Sequence, residues 1–268
     1  MTRPERAPED LGLSRPNAAR VYDYYLGGAH NFEVDRELAR AAMRHMPQLP
    51  QVMQAERGFL HRAVRFIVND GIEQILDIGC GISMTGNVHE VAHAINPSVR
   101  VACVDRDPIA VANSRQMLAG KGSTTVIQAD LREPDAILGN ARVRQLIDLD
   151  KPLGVVIVGV LHFISDREDL AGILGVLRNA MASGSYLVMT HGSHDGQPAQ
   201  TRPMQELYQQ RDTPIWFRSL RQIADLFRGF SVVDPGIVWL PQWRPDSPCD
   251  IDEHPERLSR YAAVFRRD

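Results

Sequence analysis

Lysine is almost missing from this chain. Of the 30 residues that are Lys or Arg, only Lys121 and Lys151 are lysines. That bias reads as base composition of the coding sequence, not as function. Set against 33 acidic residues, the formal net charge is -3. This balance argues against a nucleic-acid grip built on a strong overall positive field and leaves room only for a local basic patch, so no nucleic-acid partner is expected. Cysteine is scarce too: Cys80, Cys103 and Cys249 are the only three. Their spacing suits neither a zinc site nor a disulfide framework, which points to a reducing, cytoplasmic setting and to no bound metal. There is no apolar run of membrane-spanning length and no signal-peptide pattern, so a soluble protein without a membrane partner is expected. Internal repeats and low-complexity blocks are lacking as well.

What is present suffices for a sizeable core: 268 residues, 44% of them hydrophobic. Residues 1–15 are polar and proline-rich and read as a disordered tail. Residues 16–70 read as a helical segment ahead of the main domain, with helices expected over 17–26, 33–44 and 51–69. Asn17 is placed to cap the first, Gly27 and Gly28 to stop it, Pro47 and Pro50 to close the second, and Gly71 to end the third. Arg57, Arg62 and Arg65 read as the solvated face of that third helix. Residues 71–268 form the main domain. Short apolar runs at 75–78, 100–104, 124–128, 154–158 and 186–189 alternate with helical patterns at 87–95, 107–119, 165–181 and 219–228. Asp107-Pro108 supplies a cap and a first-turn proline, while Ser165 and Glu168 have capping-box spacing. Further strands fit 231–233 and 261–265. The alternation predicts an α/β fold with a doubly wound, mainly parallel Rossmann-like sheet.

The chain is organised around ILDIGCGISMTGN, residues 75–87. A buried strand runs into Gly79-Cys80-Gly81 and then into a helix, the first half of a nucleotide-binding unit. Glycines there let the backbone turn tightly and approach a ligand, and the N–H groups at the helix start favour an anion. A dinucleotide fingerprint needs a third glycine where this chain has Met84, which weakens a nicotinamide-dependent reductase without removing it. Three acids stand at successive strand ends: Asp77, Asp105 and Asp130. In a doubly wound sheet those ends converge on one crevice. Adenosine with an amino-acid tail would suit them. Asp105 would take the ribose hydroxyls, Asp130 the adenine amino group with the Leu131 N–H donating to the ring, and Asp77 the ammonium end. Each acid could instead be an ordinary turn or capping residue.

The order LDIGCG, VACVDRDP, VIQADL and VVIVGVLHF resembles the successive motifs of class I S-adenosylmethionine-dependent methyltransferases. More narrowly, ARVYDYYLGGAHNFEVDRELA, GNVHEVA, LHFI and PGIVWLPQWRPD resemble an actinobacterial family of S-adenosyl methyltransferases, formerly a domain of unknown function. The resemblance spans nearly the whole chain from about Ser14. It implies the class I methyltransferase sheet, mainly parallel with an antiparallel last strand, S-adenosylmethionine as cofactor, S-adenosylhomocysteine as product, and cofactor contacts from Asp77, Gly79, Gly81, Asp105 and Asp130. Arg106 and Val160 join the candidate cofactor set. One departure stands out: Ala29-His30 follows the double glycine where the family pattern has lysine and aspartate.

Methyl transfer gains most from alignment, and a base is needed only for a nucleophile that carries a proton. His162, after the central strand, is the candidate base; the alternative is a histidine bonded to backbone that shapes the cofactor pocket. His191 and His194 read as surface loop histidines; the alternative is that they line the substrate side. The segment Tyr22 to Tyr25 is expected either to close over the crevice, bringing Gly28 and Asn31 to the methionine tail, or to be a plain helix-stop turn. Residues 201–212 form a cap over the substrate or a connecting helix. Trp216 and Trp239 read as packing residues and Trp243 as a packing or rim residue. The implied activity is methylation of a small molecule on oxygen or nitrogen. The other readings are a silent regulatory protein that binds the cofactor and the reductase already named.

Overall fold

The computed structural model describes residues 14–268 apart from 83–85, 119, 121 and 212. Most of the tail and Met84 therefore lie outside the described residues. Three helices lead the chain: α1 (Ala18–Tyr25), α2 (Glu33–His45) and α3 (Leu49–Asn69). Asn17 caps α1 by accepting from the Ala19 N–H at 2.8 Å. Pro50 does not end α2. It lies in the first turn of α3, where its missing N–H leaves no bond unmade. Along α3, Val52, Phe59, Ala63 and Ile67 recur at helical spacing and are buried, as an amphipathic face requires.

The sheet follows. β1 (Gln74–Ile78), α4 (Val88–Ile95), β2 (Arg100–Asp105), α5 (Pro108–Met117) and β3 (Thr124–Gln128) form its first half. Two short helices unforeseen in the sequence, α6 (Pro134–Leu138) and α7 (Ala141–Leu146), lead to β4 (Gly154–Ile157). At five and six residues they are too short to show a periodic pattern. The helix expected over 165–181 is split. Ser165 and Glu168 cap a single 3-10 turn, Asp169 takes a left-handed conformation, and α8 (Leu170–Ala180) starts afresh. β5 (Tyr186–Gly192), α9 (Pro198–Gln209) and α10 (Leu220–Leu226) precede β6 (Ser231–Val232), β7 (Val238–Trp239) and β8 (Arg260–Arg266).

The strand order is β3-β2-β1-β4-β5-β8-β6, with β7 also paired to β8. The first five strands are parallel neighbours; β8 is antiparallel to β5. This is the expected doubly wound sheet with its antiparallel close. Side chains alternate across it. Ile75 faces the core shared with α1–α4 and α9, whereas Leu76 and Ile78 face the core shared with α6–α8 and α10. Asp77 is thus on the side of β1 that looks toward the leading helices. β5 runs three residues beyond its expected end because its pairing with β8 continues to Gly192 opposite Arg260.

Candidate active site

The turn after β1 is built from two glycines in the left-handed region, Gly79 (φ 83°) and Gly81 (φ 68°). A Cβ on Gly79 would lie 2.2 Å from a methyl of Val160, while one on Gly81 would meet nothing within 4 Å. The first glycine therefore permits close packing and the second keeps the turn open. The Gly79 and Cys80 N–H groups both donate to Val104 O, at 2.7 and 3.1 Å, which ties the turn to β2. Asp105, at the end of β2, accepts from the Gly81 N–H on one oxygen and from the Asp107 N–H on the other, each at 2.8 Å. Burial raises its pKa, and those two backbone donors oppose the rise.

Asp77 is buried, and no hydrogen bond reaches its carboxylate among the described residues. Burial pushes its pKa up to about 7; the Arg57 guanidinium pulls it down and the Asp105 carboxylate pushes it further up. Asp130 is more open. Arg132 holds it at 3.2 Å, and Arg106 stands 3.9 Å away. The two glycines, the three acids, Arg106, Leu131, Val160 and His162 all line one cavity at the carboxyl edge of the sheet.

Gly28 and Asn31 do not line that cavity. They hold Asp23, which does. The Asn31 amide donates to Asp23 Oδ2 at 2.7 Å and to Gly28 O at 2.8 Å; the His30 N–H also donates to Asp23 Oδ2, at 2.8 Å. A Cβ on Gly28 would fall 2.0 Å from Asp23 Oδ1, so the double glycine makes room for this carboxylate. Asp23 Oδ1 is itself buried without a hydrogen-bond partner among the described residues. His30 makes this contact through its backbone, so the contact does not depend on its side chain. The three tyrosines of α1 divide their work. Tyr22 and Tyr25 line the cavity, and Tyr24 does not. The Tyr25 and Tyr208 hydroxyls meet at 3.1 Å. Tyr208 and Met204, both on α9, line the cavity as well.

The far end of the cavity lies beyond β4. His162 is buried there, and its Nδ1 has no hydrogen-bond partner among the described residues. It is not held by backbone, contrary to one of the two sequence readings. Burial, then the electrostatic influence of Arg260, His191 and Arg218, pushes its pKa well below the usual imidazole range. His191 is no surface residue: it sits on β5, wholly buried. Arg218 is a donor only, so at 2.8 Å the His191 Nε2 must accept from it, and Nδ1–H then donates to Gly192 O at 2.7 Å. Burial and Arg218 push the His191 pKa down to about 3. His194 is exposed beside Asp195. Among the described residues no cluster of three His, Cys, Asp or Glu could hold a metal ion. No helix among them is long and apolar enough to cross a membrane.

Several of these groups escape sequence reasoning. Arg260, Glu56 and Arg57 carry no motif. Arg57 donates to Gly86 O at 2.6 Å, Arg62 to Trp243 O and Leu240 O at 2.9 and 3.0 Å, and Arg65 pairs with Asp246, so these arginines clamp loops and are not a merely solvated face. Trp243 is fully buried against Phe59 and Phe66, not a rim contact. The available signal was the isolated Glu56 on an otherwise apolar helix face, because a buried charge requires a partner.

Residues 4–268 match the model of a family described as S-adenosyl methyltransferase. A solved structure of a DUF574 family protein from Streptomyces avermitilis is 34% identical, with a TM-score of 0.92, covering 96% of this chain and 100% of that one. A candidate methyltransferase from Thermobifida fusca is 38% identical, with a TM-score of 0.91, covering 99% and 100%. No curated protein matches the chain. The chain belongs to the S-adenosyl methyltransferase family and is an S-adenosylmethionine-dependent methyltransferase.

Proposed function

We propose that the cavity seats S-adenosylmethionine across the carboxyl ends of β1, β2 and β3, and that the enzyme methylates a small molecule on oxygen or nitrogen. The observation that carries this reading is Asp77: a buried carboxylate with no hydrogen bond among the described residues, beside a second buried acid and an open glycine turn. Leaving such a group unpaired is unfavourable unless a cationic ligand meets it. An ammonium fits that need, and the open side of Gly81 gives the amino-acid tail room.

When bound, the cofactor supplies a methyl group on a sulfonium that is already activated for displacement. The chain's own part is to bind, align and exclude water. Asp105 keeps lone pairs free on both oxygens and would take the ribose hydroxyls. Asp130 and Leu131 would meet the adenine, with Arg106 and Arg132 holding the Asp130 carboxylate in place. Val160 would pack between the glycine turn and the ligand. Gly28 and Asn31 would act at one remove, by positioning Asp23. Tyr22 and Tyr25 of α1, with Tyr208 of α9, would close the cavity over the substrate. His162, held neutral, is a poor proton acceptor in the resting enzyme, so alignment supplies most of the rate. It can still accept a hydrogen bond from a hydroxyl or amine nucleophile.

Titration calorimetry with S-adenosylmethionine, S-adenosylhomocysteine and NAD tests the reading. Binding of the first two and not the third is expected. Tight NAD binding without homocysteine-product binding would overturn it. Turnover against a metabolite panel then separates an enzyme from a silent binder.

A further inference from the structure

The far end of the cavity presents a buried guanidinium where the other end presents acids. Arg260 begins β8, which runs antiparallel to β5, so this residue stands at the carboxyl edge of the parallel strands, on the opposite side of β1 from β2 and β3. Its side chain is buried and lines the cavity. Only one corner of its guanidinium is used: Nη1 donates to both oxygens of Glu56, at 2.7 Å each. Nε is buried with no hydrogen-bond partner, and Nη2 makes no hydrogen bond either among the described residues. An arginine normally meets a carboxylate with two parallel N–H bonds. Here the Nε–Nη2 edge, which has that shape, is left without an acceptor.

Glu56 balances the charge of Arg260 but occupies only its Nη1 corner, and its own carboxylate also accepts from the Thr190 hydroxyl at 2.5 Å. The buried imidazole of His162 feels Arg260, His191 and Arg218, and all three oppose its protonation. A second donor is close to hand. In the Tyr25–Tyr208 pair one hydroxyl donates to the other, which leaves the second proton for a ligand. The rest of this wall is apolar, with Met53, Met204 and Ile215.

We propose that the methyl acceptor carries a carboxylate on a small apolar body, and that the free edge of Arg260 is the residue feature that selects it. The proposal rests on the reading that the acid-lined end holds the cofactor. A substrate with no acceptor there would leave buried guanidinium donors unmet, and a neutral carbonyl would fill only part of the edge that matches a carboxylate's two oxygens. A cationic substrate would meet the buried guanidinium of Arg260.

The test uses protein loaded with S-adenosylhomocysteine and matched ligand pairs: benzoate, phenylacetate and 3-phenylpropionate, each beside its primary amide. Affinities are read by calorimetry, and the buried arginine Nε–H signal by nitrogen-15 NMR. Carboxylates should bind about tenfold or more tightly than the amides, as expected for a charge-assisted pair. They should shift the Nε–H signal, and the amides should not. The paired variant E56Q/R260Q, which removes both charges together, should level the two series while homocysteine-product affinity stays within about threefold of the unaltered protein. Equal binding of acids and amides by the unaltered protein, or an unmoved Nε–H signal, would overturn the proposal even if the variant failed to fold. A carboxylate preference that survived in the folded variant would overturn the role of Arg260. Failure of the unaltered protein to bind the homocysteine product would instead overturn the cofactor reading, and this proposal with it.

Discussion

The two ends of the cavity are made differently. The acid-lined end is built by the sheet: Asp77, Asp105 and Asp130 come from three adjacent strand ends, and Gly79 and Gly81 from the turn between them. The far end is assembled from scattered pieces: Tyr22 and Tyr25 on α1, Tyr208 on α9, and Arg260 on β8. The first is local in sequence and rigid by register. The second depends on leading helices and a late strand meeting over the sheet. A cofactor common to many enzymes is expected at the first, and the part that varies with substrate at the second.

That division can be broken at the cofactor end first. Asp105→Ala removes the proposed ribose acceptor and should weaken S-adenosylhomocysteine binding by roughly 2–3 kcal/mol, or about 30- to 150-fold, read by calorimetry on a variant whose thermal unfolding shows that it is folded. Unchanged affinity would remove Asp105 from the site. Gly79→Ala comes next. Its Cβ would strike Val160 and the residue would keep a left-handed φ, so a stability loss of about 1–3 kcal/mol is expected in urea unfolding. Adding Val160→Ala should recover the steric share and leave the backbone share.

A smaller effect follows from Asp77. In the folded protein without ligand its carboxyl keeps a proton up to about pH 7, whereas the unfolded chain releases it near 3.8. Between those values the folded state binds more protons, so this group's contribution makes the protein less stable as pH rises through the window. A bound ammonium favours the ionised form. Product affinity should therefore rise by up to about tenfold from about pH 6 to pH 8, with proton release near neutrality seen by calorimetry in buffers of different ionisation enthalpy. A flat profile would mean that no cation meets Asp77. The smallest effect on this end should come from His162→Ala: homocysteine-product affinity within about twofold, with turnover of a productive acceptor reduced. A fall in affinity alone would make His162 a wall of the cofactor pocket.

The same contrast governs what could be read in advance. β1, its glycine turn and the strand-end acids follow from short-range pattern, because a parallel sheet converts sequence order into neighbouring strand ends. The antiparallel last strand came from the family resemblance and not from local pattern, and the structure bears it out. The arginines of α3 were not legible. On a helical wheel Arg57, Arg62 and Arg65 look solvated; the turn at Gly86 reveals a partner of the first, and the late loop carrying Trp243 and Asp246 those of the other two. His191 was misread for a related reason: its burial depends on pairing with β8, some seventy residues on. Arg260 and Glu56 form a pair separated by 204 residues, and no local pattern announces such a contact. Gly28 and Asn31 were singled out, but their part is to hold Asp23, a role visible only once the side-chain bonds are seen.

The most direct test of the whole account is a crystal structure of the protein with S-adenosylhomocysteine. The account predicts ribose hydroxyls on Asp105, the ammonium on Asp77, and the sulfur facing the end that holds His162 and Arg260. A nucleoside bound at the β5–β8 end, or outside this cavity altogether, would contradict it.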